Sequence, residues 1–280
     1  MTVRGDIADK TDGRPPRRLI LHCGVQKTGS TSLQRFLQRN SEALRGHVEV
    51  LTPVRGSLTR DLGHTAMQFS LDPSARMQRR LSRLGRALRD TLLPGPGAGP
   101  VLVSHENLPG AMIGKGGVVT LYPQLEGIMG LLDAALHPLV PEYVFYTRDM
   151  AGWKRSVYNQ AVRSDLYAAP FAAFLDETGG CGGWADLEAR LLDGPCAGRV
   201  LFLRLEDEAD PARPGRQLLA HAGLTPDVVD RLVPLRLPGN QSPRASAIEF
   251  LRQLNGLGLE RACRGRVAAL VAENEALFAP

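Results

Sequence analysis

The chain has 280 residues, 43% of them hydrophobic and 22% charged, with a formal net charge of +5. That balance fits an ordinary soluble globule, one α/β domain of generous size or two small ones, and its positive excess is consistent with anionic ligands. It argues against a membrane-spanning helix, since no apolar stretch approaches the roughly 20 residues needed, and against a nucleic-acid binder, since aromatics are only 5% and never interleave with a basic run.

Residues 1–17 lack the apolar centre of a secretion signal and read as a flexible leader ahead of a single domain over 18–280. Leu19 to Cys23 is an apolar run of strand length, Gly24 permits a tight turn, and Leu33, Phe36 and Leu37 recur at helical spacing. The intervening loop therefore sits at a helix N-terminus, where unpaired backbone N–H groups and the positive end of the helix dipole attract an anion. Gln26, Lys27, Thr28, Gly29, Ser30, Thr31 and Ser32 form that loop, with hydroxyl donors and one full positive charge. Lys27 precedes the glycine, unlike the nucleotide-triphosphate loop GxxxxGK[ST], in which Lys follows the second glycine.

Val48 to Thr52 reads as a second strand, and Thr52 to Ser74, rich in Gly and turn residues, as one rim of a cleft. Ala75 to Leu92 reads as a helix with Met77, Leu81, Leu84 and Leu88 on one face and Arg76, Arg79, Arg80, Arg83 and Arg86 largely on the other. Such a basic face is a solvated surface, or one that meets an acidic glycan, a membrane or an acidic partner. The run PGPGAGP at 94–100 stops the helix before a third strand, Val101 to Ser104. His105 and Glu106 follow directly, candidates for a general base, and Ala111 to Gln124 makes a second rim.

After a helix around Tyr122 to Leu136, a fourth strand, Tyr143 to Thr147, ends at Arg148, where open α/β sheets place their ligands. Ser156 lies eight residues on, in a helix over Gly152 to Ser164. An Arg fork with a hydroxyl suits a terminal phosphate. Further helices are expected over 170–177, 184–192, 213–222, 244–257 and 261–277, and a fifth strand over Val200 to Leu205. Strands alternating with helices predict an α/β fold in which helices flank a central, mainly parallel sheet. Cys23, Cys181, Cys196 and Cys263 are scattered without metal-ligand or redox spacing, which points to free thiols, no metal and a reducing cytoplasm.

The loop Gln-Lys-Thr-Gly-Ser-Thr-Ser at 26–32 resembles the 5′-phosphosulfate loop of sulfotransferases that use 3′-phosphoadenosine 5′-phosphosulfate (PAPS), usually PKTGTT. It departs at Gln26 and Ser30, and Ser32 stands where cytosolic members stack a Trp on adenine. Arg148 with Ser156 resembles the family's 3′-phosphate motif, SVYNQ at 156–160 resembles bacterial members, and SHEN at 104–107 resembles a Ser-Glu-Asn version that favours Glu106 over His105 as base.

The resemblance implies a P-loop-like sulfotransferase that moves a sulfuryl group from PAPS to a hydroxyl acceptor, first a carbohydrate or lipid, leaving adenosine 3′,5′-bisphosphate. Lys27 would stabilise charge at the bond being broken, residues 28–32 would hold the 5′ end, and Arg148 with Ser156 the 3′-phosphate. The family places a basic or Gly-rich segment late in the chain, for which Asn240 and Arg244 are candidates. A nucleotide-dependent phosphotransferase and a non-catalytic nucleotide-binding module are the alternatives.

Overall fold

The computed structural model describes residues 17–93, 99–236 and 244–278. Its five strands are β1 (Leu19–His22), β2 (Glu49–Leu51), β3 (Val101–Ser104), β4 (Pro141–Thr147) and β5 (Val200–Arg204). They form one sheet in the order β2-β3-β1-β4-β5, and every pairing is parallel. The helices, in chain order, are α1 (Ser30–Arg39), α2 (Ser41–Leu44), α3 (Leu58–Leu71), α4 (Ala75–Leu92), α5 (Leu125–Leu136) and α6 (Met150–Ser164). They continue with α7 (Phe171–Glu177), α8 (Trp184–Leu192), α9 (Arg216–His221), α10 (Pro226–Arg231), α11 (Ala245–Asn255) and α12 (Arg261–Glu273).

Parallel strands covered on both faces must be apolar at successive positions, and these are. Leu19, Leu21, Val101, Val103, Tyr143 and Phe145 face one core with α3 to α6, while Ile20, Leu102, Val144 and Tyr146 face another with α1 and α9. The period of two along each strand sorts the residues between the two cores.

The expected α/β fold with a parallel sheet is what forms. The main departure is α3, which occupies the middle of the expected rim 52–74. Ser57 caps it by accepting a hydrogen bond from the Arg60 N–H at 3.2 Å, and Leu62, Ala66 and Phe69 bury its inner face. Gly63 interrupts the pattern because a Cβ there would collide with the His105 imidazole. The helix expected from Tyr122 starts at Leu125, since Tyr122 has φ 47°, and the short helices α2 and α10 were not anticipated. Arg17, assigned to the leader, is anchored: its Nε donates to the Gly99 carbonyl at 3.0 Å and its Nη1 lies 2.9 Å from Glu49. The remainder of the leader and the loop at 94–98 lie outside the described residues.

The chain runs from central β1 outward to β2 and β3 on one side, then crosses to β4 and β5 on the other. The carboxyl end of β1 is thus the point where the strand order reverses, the usual location of a ligand crevice.

Candidate functional site

Gly24 turns the chain at the end of β1. A Cβ there would come within 2.5 Å of Ser30 Oγ and 3.0 Å of His22 Cε1, so no side chain fits. Lys27 and Gly29 both take left-handed backbone, with φ 69° and 83°. In lysine this is a strained choice, of the kind that clusters at binding sites. Gly29 is the residue ahead of α1, whose N-terminus has no side-chain cap and no acid in its first turn. The first-turn N–H groups are left for an anion.

A cleft of about 580 Å³ opens over this loop at the carboxyl ends of β1, β3 and β4. Lys27, Arg148 and Arg163 bring positive charge into it, and among the described residues Glu106 is the only carboxylate in its lining. Burial, then the charges of Arg163 and Arg148, hold the Lys27 ammonium below its ordinary pKa. Its Nζ reaches Gln160 Oε1 at 3.5 Å. Lys27 has no ion pair among the described residues, and an ammonium so placed in a cationic cleft favours an anionic ligand, which restores the charged form.

The structure sorts the expected residues by what their polar atoms already hold. Gln26 is a strut. Its Nε2 donates to Gly110 O at 2.8 Å and Asn107 Oδ1 at 3.1 Å, and its Oε1 accepts from the buried Tyr122 hydroxyl at 2.7 Å. Thr28 is buried with its hydroxyl donating to Val25 O at 2.5 Å, which corrects its assignment as a hydroxyl donor for the ligand. Ser30 differs: its Oγ is buried with no partner in the fold. Arg148 Nε is likewise buried and unpartnered, while its Nη1 donates to Lys27 O at 3.2 Å. Buried polar atoms without partners are rare, and of the five among the described residues, which include His22 Nε2, Thr65 Oγ1 and Tyr167 OH, those of Ser30 and Arg148 belong to residues in the wall of the cleft. Thr31, Ser32 and Ser156 also line it.

His105 is a correction. It is 3% exposed, and its Nδ1 accepts the Asn107 N–H at 3.0 Å, so that nitrogen cannot take an acceptor proton. Burial, opposed by the Glu106 carboxylate, lowers its pKa. Glu106 does face the cleft, oriented by Gln34 Nε2 at 2.6 Å. Arg244 stands at the start of α11 and does not line the cleft, and Asn240 lies outside the described residues.

Arg163 was missed. It lies two helical turns beyond Ser156 on α6, so the i to i+7 spacing would have found it. The expected rims do contribute, through Met67 on α3 and Met112 and Lys115 in the segment 111–124, with Lys115 paired to Asp165 at 2.9 Å. A second pocket of about 290 Å³ adjoins the first at Gly29, Ser32 and Leu205, walled by Leu33, Tyr146, Pro211 and Pro214. Both tryptophans serve the site: Trp153 Nε1 donates to Gln26 O at 2.8 Å and Trp184 Nε1 to Arg148 O at 2.7 Å.

No family model, curated protein or solved structure matches this chain.

Proposed function

We propose that the cleft binds PAPS and that the protein transfers its sulfuryl group to a hydroxyl of a carbohydrate or lipid. The observation that carries this reading is the pairing of two cationic subsites: the loop with Lys27 after β1, and Arg148 after β4, joined by the Arg148 to Lys27 O hydrogen bond at 3.2 Å. A ligand with one anion at each end satisfies both, and a bisphosphorylated adenosine has that form. The small, mainly apolar pocket beside Ser32, whose lining also includes Glu208 and Asp210, offers the base a place without the Trp that related loops carry at this position.

In the transfer, the acceptor oxygen forms a bond to sulfur as the bond from sulfur to the bridging 5′-phosphate oxygen breaks. Lys27 and the first-turn N–H groups of α1 neutralise charge growing on that phosphate. Glu106 receives the acceptor proton, its carboxylate aimed by Gln34. Arg148 and Ser156 hold the 3′-phosphate.

Calorimetric titration tests the reading. Adenosine 3′,5′-bisphosphate is expected to bind more tightly than ATP, and Arg148→Ala to weaken it about ten- to a hundredfold, the range of a charge-assisted hydrogen bond. Tighter binding of ATP favours a phosphotransferase, and unchanged affinity in Arg148→Ala overturns the 3′-phosphate assignment.

A further inference from the structure

Helix α4 carries Arg76, Arg79, Arg80, Arg83 and Arg86, all exposed. At roughly 100° per residue these positions fall within an arc of about 120°, directly opposite the buried Leu81, Gly85, Leu88 and Leu92. Among the described residues, none of the five guanidinium groups is in an ion pair or a side-chain hydrogen bond, and the only acid on α4, Asp90, is paired to Arg89 at 2.7 Å. Arg76 to Arg86 therefore make a line of unneutralised charge about 15 Å long, at about 1.5 Å per residue.

The stripe starts on the chain just after α3, whose Met67 lines the cleft. Ser74, which caps α4, follows closely on Leu71 of α3, and Leu71 packs against Gly116, next to the cleft residue Lys115. Arg163 carries positive charge into the cleft itself.

We propose that the acceptor is a linear anionic polysaccharide with repeating carboxylates, whose chain lies along α4 while one of its hydroxyls enters the cleft at Glu106. The inference rests on the transferase reading in calling the polymer an acceptor. Arg forks match planar carboxylates two bonds at a time, and a line of charge is complemented by a line of charge. Such a chain supplies the hydroxyl that the transfer requires and the anions that the stripe requires in one molecule. A lipid surface fits less well. Interfacial helices insert an apolar face, and that of α4 is already buried in the core against α5, where Gly85 meets Ala135. Single-stranded nucleic acid fits less well too, since no aromatic residue on α4 offers a base a stacking surface.

The test measures binding of polygalacturonate oligomers, neutral dextran, phosphatidylglycerol vesicles and a thymidine oligonucleotide to the full chain. Polygalacturonate is expected to bind with an affinity that falls steeply with salt, and dextran not to bind. The triple variant R79Q/R80Q/R83Q should lose about tenfold or more of that affinity, whereas R45Q/R231Q/R266Q, which removes equal charge from other exposed sites, should not. Glutamine maintains helix propensity, and unchanged affinity for adenosine 3′,5′-bisphosphate in both variants reports an intact cleft. Absence of polygalacturonate binding, equal losses in the two triple variants, or tighter binding of vesicles or oligonucleotide overturns the proposal. Loss of nucleotide binding in the unmodified chain would instead overturn the transferase reading.

Discussion

Trp153 and Trp184 pack edge to face with ring centres 4.9 Å apart, and they fasten the two halves of the cleft together. One indole N–H holds the carbonyl of Gln26 in the loop, the other the carbonyl of Arg148 at the end of β4. These are the only tryptophans in the chain, so its tryptophan fluorescence reports on the cleft. Adenosine 3′,5′-bisphosphate should change the emission. Trp184→Phe retains most of the packing but leaves Arg148 O without its donor, at a cost of about 1–3 kcal/mol in stability and with weaker nucleotide binding. Chemical denaturation and calorimetry check both, and an unaltered affinity would separate Trp184 from the site.

Lys27 combines an unfavourable backbone with a half-buried charge. Replacing it by glycine removes the left-handed strain, worth about 1 kcal/mol, together with the desolvated ammonium. Lys27→Gly is therefore expected to be at least as stable as the parent chain in urea, yet to lose sulfuryl transfer. A variant that turns over normally would remove Lys27 from the mechanism.

Glu106 and His105 are adjacent in sequence but sit in different environments, one facing the cleft and the other packed under α3. Glu106→Gln should lower the rate of transfer by about 10²–10⁴ while leaving nucleotide affinity unchanged, as expected for loss of a general base. His105→Phe strands the Asn107 N–H and should lower stability by about 1–3 kcal/mol with a much smaller effect on turnover. Single-turnover rates and melting temperatures distinguish the pair, and the reverse pattern would assign the base to His105.

His22 lies fully buried under the loop, hydrogen-bonded to Ser104 Oγ at 2.8 Å, and burial pushes its pKa from 6.5 down to about 3. Below pH 6.5 the unfolded chain binds a proton that the folded chain refuses, so stability is lost as pH falls from there towards about 3. The greatest slope from this one group is about 1.4 kcal/mol per pH unit. His22→Asn can maintain a hydrogen bond to Ser104 without titrating, and its urea midpoint should vary less between pH 7 and pH 5. Equal slopes would show that another group dominates acid sensitivity.

The sheet and the loop were legible in the residue pattern alone. Apolar runs at β1, β3 and β4 leave no alternative to burial on both faces, and the order strand, small loop, helix after Leu19 requires an N-terminus with free N–H groups. Arg148 was legible for the same reason, because it ends an apolar strand where ligands gather. Which polar atoms remain available depended on contacts between segments far apart in the chain. Thr28 and Gln26 looked like ligand groups until Val25, Gly110 and Tyr122 arrived as partners, whereas Ser30 and Arg148 retained atoms with none. His105 and Glu106 were divided by α3, a helix whose Gly63 admits an imidazole where a Cβ would stand. Local pattern fixes which backbone forms, since periodicity and caps act over a few residues. The partner of a hydrogen bond comes from distant parts of the chain, and folding alone brings it there.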